Sequence, residues 1–151
     1  MSSPAGTPDD PLPRPSPNQG ARRGGEGVDM VILHYTGMAS AGAALDRLCD
    51  PDTEVSAHWL IAEDGTVHDL VPEDRRAWHA GRAHWAGVAD VNSRSVGVEL
   101  ANPGTGPAAH PFPEPQMAAL EALLTGIRAR HGVPAERVLG HACVAPGRKI
   151  D

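Results

Sequence analysis

The stretch Val28–Tyr35, "VDMVILHY", constrains the fold more than any other. It is a continuous apolar run rich in β-branched residues, without the polar alternation of a half-exposed strand, so it predicts a strand covered on both faces. A chain of 151 residues is long enough to build one such core. Thr36-Gly37 closes the strand, and "SAGAALDRLCD" follows as a short helix with Ser40 as its N-cap.

The rest of the chain fits around that strand. "HWLIA" and "TVHDLV" read as two strands joined through Asp64-Gly65, the strongest short-range hairpin signal. Ser95–Ala101 is a further strand. Glu114 to His131 predicts a helix, with Met117, Leu120, Leu123, Leu124 and Ile127 on one apolar face, Gly132 as its stop and Pro134 just beyond. "ERVLGHA" reads as a last strand ending in His141. The expected class is α/β: a central mixed β-sheet flanked by helices. Residues 1–26, dense in Pro, Ser and Gly, are expected to form a disordered or extended arm, leaving 27–151 as one domain.

Composition excludes several classes. The net charge of -6 argues against a nucleic-acid binder working by phosphate neutralisation. No stretch approaches the roughly 20 apolar residues that span a bilayer. The start of the chain lacks an apolar signal-peptide core, which by itself predicts a cytoplasmic protein. Two cysteines, Cys49 and Cys143, make neither a disulfide framework nor a CxxC motif. A monomer is expected.

The eight histidines are the compositional oddity. His34 ends the first predicted strand and His141 the last, while Glu99 lies in "VGVELAN" between Val98 and Leu100, where a carboxylate needs a partner or a job. Two histidines, an Asp and a Glu are the materials of a catalytic zinc site, which takes three protein ligands and leaves a fourth position open. HExxH, GxSxG and a Gly-rich phosphate loop are all absent, which leaves metal-assisted hydrolysis as the reaction class.

"VILHYTGM", "VSAHWLIAEDGTVHDLVPEDRRAWHAGRAHW", "NSRSVGVELAN" and "VLGHACVAPGRKID" together resemble the type-2 N-acetylmuramoyl-L-alanine amidases. This zinc family includes bacterial amidases of peptidoglycan turnover, phage endolysin amidases and the peptidoglycan recognition proteins. The likeness runs from about Ser16 to Asp151 and is nearest the bacterial envelope branch, which implies a periplasmic or envelope location. The resemblance implies zinc held by His34, His141 and Asp151, with Glu99 activating the water and Lys149 stabilising the oxyanion. His58, His79 and Asn102 become candidates for contact with the peptidoglycan or muropeptide substrate. Trp78 and Trp85 are read as core or rim packing; His68, His84, His110 and His131 as surface residues.

The chain departs from the family pattern at Ala142 and Cys143, where Ser and Asp are usual, and Cys143 is expected to be a bystander. Asp151 is the last residue given, whereas the family continues with Pro-Gly; a loosely held ligand there predicts weak zinc binding. The rival expectation from another class is a non-catalytic peptidoglycan-binding module, which typically lacks one zinc ligand.

Overall fold

The computed structural model describes residues 5–151. Its strands, in chain order, are β1 (Leu12–Pro13), β2 (Gln19–Ala21), β3 (Met30–Tyr35), β4 (Trp59–Ile61), β5 (Val67–Asp69), β6 (Arg75–Ala77), β7 (Ser95–Leu100) and β8 (Val138–Gly140). The helices are α1 (Ala41–Leu48), α2 (Val91–Arg94, a single turn), α3 (Glu114–His131) and α4 (His141–Val144, also a single turn). Six strands form one mixed sheet in the order β1-β5-β4-β7-β3-β8, and β2 pairs with β6 in a separate ribbon. Among the described residues, no helix is long and apolar enough to cross a membrane.

The predicted first strand is central. β3 runs parallel to both β7 and β8, and β7 runs parallel to β4. Its alternate residues therefore face two different layers. Val31 joins Val96, Val98 and Leu100 beneath Leu120, Leu123 and Ile127 of α3. Met30 and Ile32 face the opposite way, into a cluster with Ala80, Val91, Leu139 and Val144. Each fully enclosed aliphatic side chain, such as Ile127 or Ile32 at 0 % exposure, contributes about 1.5–3 kcal/mol.

Local signals act as expected at several points. Ser40 caps α1, its Oγ accepting from the Ala43 N–H at 3.1 Å. Gly132 ends α3 with φ 67°. The Asp64-Gly65 turn joins antiparallel β4 and β5, and a Cβ on Gly65 would lie 2.8 Å from the Pro115 carbonyl oxygen. Both φ (90°) and space therefore require glycine there.

Two expectations need revision, and a third narrows to one of its two forms. The arm expected over residues 1–26 is, in its described part, extended and tied to the sheet rather than disordered; residues 1–4 lie outside the described residues. β1 pairs with β5, and β2 with β6. Prolines cannot supply enough backbone donors for this, and polar side chains make up the difference. Ser16 Oγ donates to the Leu48 carbonyl, Asn18 Nδ2 to the Asp50 and Val55 carbonyls, and Arg22 to the carbonyls of Glu73, Asn92 and Ser95. On α3, Leu120, Leu123 and Ile127 are buried as expected, but Met117 and Leu124 only flank the core. The fully buried Gln116 sits beside them, its Nε2 donating to the carbonyls of Ile61 and Ala101. The last strand stops at Gly140, so His141 opens α4 instead of ending β8.

Candidate active site

The sheet register assembles the site. His34 of β3 is paired with Glu99 of β7, and Leu33 with Gly140 of β8. Three parallel strands thus deliver Glu99, His34 and His141 side by side near their carboxyl ends, where open α/β sheets place their ligands. All three lie on the face opposite α3 and line a cleft of about 210 Å³ together with Lys149 and Asp151. Trp78, His79 and Arg47 also line it.

His34, His141 and Asp151 converge. His34 Nδ1 lies 3.1 Å from His141 Nδ1 and 3.2 Å from Asp151 Oδ2, and His141 Nδ1 lies 3.3 Å from the same oxygen. Bonds of about 2.0–2.1 Å in a tetrahedron give ligand–ligand edges of about 3.3–3.4 Å, so the triangle has the size of one face of a zinc shell. Both imidazoles are buried, at 3 % and 4 % exposure. Asp151 is seated rather than frayed: its backbone carbonyl accepts from the Ala142 N–H at 2.6 Å.

The hydrogen bonds around the triangle decide which ring nitrogens carry protons. Ser95 Oγ donates to the Val91 carbonyl at 2.7 Å, so it accepts from His79 Nε2–H at 3.1 Å. His79 Nδ1 is then an acceptor, and His34 Nε2–H donates to it at 3.0 Å. His141 Nε2–H donates to the Ala80 carbonyl at 2.9 Å. Each neutral ring has one N–H, so both Nδ1 lone pairs point into the triangle, facing each other and a carboxylate. Three electron-rich atoms held this close call for a cation at their centre, and two imidazoles with a carboxylate suit zinc.

Glu99 stands apart from the triangle but shares its face. Its Oε2 is enclosed and has no hydrogen-bond partner among the described residues. Burial pushes its carboxyl above the ordinary value, against the opposing pull of His34; that is the direction in which a carboxylate becomes a better proton acceptor. Lys149 is exposed on the cleft wall.

The three substrate candidates separate. His58 is 0 % exposed and does not reach the cleft. Its Nδ1 accepts from the Gly97 N–H at 2.9 Å and its Nε2–H donates to the Arg75 carbonyl at 2.8 Å, so it is an internal strut. Asn102 is spent on its own loop, accepting from the Gly104 N–H and donating to the His110 carbonyl. His79 does border the cleft, but both ring nitrogens are engaged inward, and burial pushes its pKa well below the ordinary imidazole value, which favours the neutral ring.

Sequence reading overlooked Arg47, whose place on the cleft wall follows from how α1 docks and leaves no local signal. Of the two tryptophans expected in core or rim packing, Trp78 lies on the cleft rim and Trp85 packs against the Met30 and Ile32 cluster. Cys49 and Cys143 are both free thiols.

Residues 24–151 match the family model described as N-acetylmuramoyl-L-alanine amidase. The chain belongs to that family. It is 35 % identical over 136 residues to the N-acetylmuramoyl-L-alanine amidase AmiD of Escherichia coli K12, covering 82 % of this chain and 48 % of AmiD. It therefore spans about half the length of that relative. Against the 1,6-anhydro-N-acetylmuramyl-L-alanine amidase AmpD of Salmonella typhimurium SL1344 it is 32 % identical over 154 residues, covering 91 % of this chain and 80 % of AmpD. Among solved structures, E. coli AmiD in complex with the substrate anhydro-N-acetylmuramic acid-L-Ala-D-gamma-Glu-L-Lys superposes with a TM-score of 0.77 at 34 % identity, over 87 % of this chain and 55 % of that one. The amidase family accordingly accounts for the fold as an α/β domain with a mixed sheet.

Proposed function

We propose that this amidase-family chain hydrolyses the amide between the lactyl group of N-acetylmuramic acid, or its 1,6-anhydro form, and L-alanine in muropeptides. The observation that carries the reading is the triangle of His34 Nδ1, His141 Nδ1 and Asp151 Oδ2 with its two inward lone pairs, beside the unpartnered Glu99 Oε2. The relatives named above support the substrate.

In this reading His34, His141 and Asp151 hold a zinc ion. When bound, zinc polarises the scissile carbonyl and eases deprotonation of a water. Glu99 takes the proton from the attacking water and passes it to the departing L-alanine nitrogen, which must leave as an amine. Its enclosed, partner-free oxygen keeps the carboxylate ready for that transfer. Lys149, on the cleft wall, donates to the carbonyl oxygen as negative charge grows there, a contribution of roughly 3 kcal/mol by analogy with a lost oxyanion donor. The remaining cleft, walled by Arg47 and Trp78, receives the muropeptide.

The test is hydrolysis of N-acetylmuramoyl-L-Ala-D-γ-Glu-L-Lys and of its 1,6-anhydro form, followed by mass spectrometry. Release of L-Ala-D-γ-Glu-L-Lys that stops with chelator and returns with zinc is the expected result. Binding without chelator-sensitive cleavage leaves the chain a non-catalytic recognition module.

A further inference from the structure

His79 is a candidate substrate contact from its sequence, yet the residues packed around it have another use. Ser95, Gly97 and Glu99 alternate along β7 and share its site-facing side. The His79 ring lies across Gly97 so closely that a Cβ there would be 2.5 Å from its Cγ. Ser95 holds the far nitrogen of that ring, and the near nitrogen accepts His34 Nε2–H at 3.0 Å. The next residue serves the other histidine: the Ala80 carbonyl accepts His141 Nε2–H at 2.9 Å. Both residues are pinned by one side chain, since Asn92 Oδ1 accepts the His79 N–H at 3.1 Å and the Ala80 N–H at 2.8 Å.

We propose that the His79–Ala80 dipeptide is the positioning element of the metal site, His79 acting on His34 through its side chain and Ala80 on His141 through its carbonyl. The inference rests on the zinc reading above and adds to it how the two ligands keep their lone pairs on the metal. Without an acceptor at His79 Nδ1, the His34 ring is free to turn over or to move its proton to Nδ1, and either change removes the lone pair from the triangle. Such outer partners of metal-bound histidines are worth about 10–100-fold in metal affinity. The dipeptide touches no reacting atom; it acts through the ligands.

The experiment compares wild type, His79→Leu, His79→Gln and Ser95→Ala, with zinc dissociation constants measured by chelator competition and thermal midpoints measured on the zinc-free proteins. His79→Leu is expected to weaken zinc binding about 10–100-fold. His79→Gln, which keeps an acceptor and a donor, is expected to recover most of that loss, with similar zinc-free midpoints for both. Ser95→Ala, which frees the His79 proton, is expected to weaken binding several-fold. Unchanged affinity in His79→Leu overturns the proposal, as does His79→Gln binding no better than His79→Leu. An independent check uses long-range ¹H–¹⁵N spectra of zinc-free wild type: an Nδ1–H tautomer at His34 overturns the proposal whatever the variants do. If wild type itself binds no zinc, the ligand assignment fails first and the positioning role with it.

Discussion

Ala142 donates its backbone N–H to the carbonyl oxygen of Asp151 at 2.6 Å, and that bond helps to seat the residue whose carboxylate meets two histidines. His34 and Asp151 are 117 positions apart in sequence and 3.2 Å apart in space. Asp151→Ala is expected to keep the fold and to weaken zinc binding by at least about 100-fold, because a third ligand is lost outright rather than misaligned. Zinc titration against a chromogenic chelator measures this. Full zinc retention and activity in that variant would remove Asp151 from the ligand set.

Glu99→Gln keeps the size of the side chain and removes its basicity. The expected outcome is a fall in kcat of about 10²–10⁴-fold with zinc content unchanged. Lys149→Ala is expected to lower kcat by about 10²–10³-fold, also with zinc retained. A loss expressed only in KM at either position would assign it to substrate binding instead.

His58 carries the pH prediction. Burial, reinforced by the nearby Arg22 charge, lowers its pKa to about 4 against an ordinary 6.5, although its hydrogen bond to Arg75 pulls the other way. Between those two values the unfolded chain binds a proton that the folded protein refuses. The stability contributed by neutral His58 is therefore complete above pH 6.5 and is lost as pH falls toward 4, by up to about 3 kcal/mol. NMR titration should find His58 as the neutral Nε2–H tautomer at pH 5.5. Half-protonation near pH 6.5 would contradict the burial argument.

Gln116→Leu tests the polar rivet under α3. The Ile61 and Ala101 carbonyls both lose their Gln116 donor inside the core. The Ile61 carbonyl keeps the Ala101 N–H at 3.0 Å, so one stranded acceptor, offset in part by the apolar replacement, predicts a loss of about 1–2 kcal/mol, readable as a lower urea midpoint with an unchanged slope. A loss below about 0.5 kcal/mol would mean that another donor reaches the Ala101 carbonyl.

What was legible in the sequence was what short-range periodicity encodes. β3, α3, the Ser40 cap and the Asp64-Gly65 hairpin each follow from residues within a few positions of one another. β1 and β2 were not legible, because they are held by Ser16, Asn18 and Arg22 reaching carbonyls far along the chain. Gln116 hid in the same way, its position in the helix pattern saying nothing of the two carbonyls it meets. At the site, His34, Glu99 and His141 stood out as polar residues in apolar strands, yet only the register of β3 with β7 and β8 makes them neighbours. The histidines of "AHWL" and "WHAG" look alike locally. Only their tertiary partners separate the strut His58, held between Gly97 and Arg75, from His79, which borders the cleft.

The alternation along β7 also limits how this protein can change. Sliding the strand by one position would put Val96 and Val98 on the site side and send Ser95, Gly97 and Glu99 into the oil beneath α3. Hydrophobic packing therefore guards the chemistry: the slip that would scramble the site would also bury a carboxylate in an aliphatic core. Substitutions that loosen β7 without unfolding the domain should be rare, and the apolar valines of that strand should prove as intolerant of replacement as the polar residues between them.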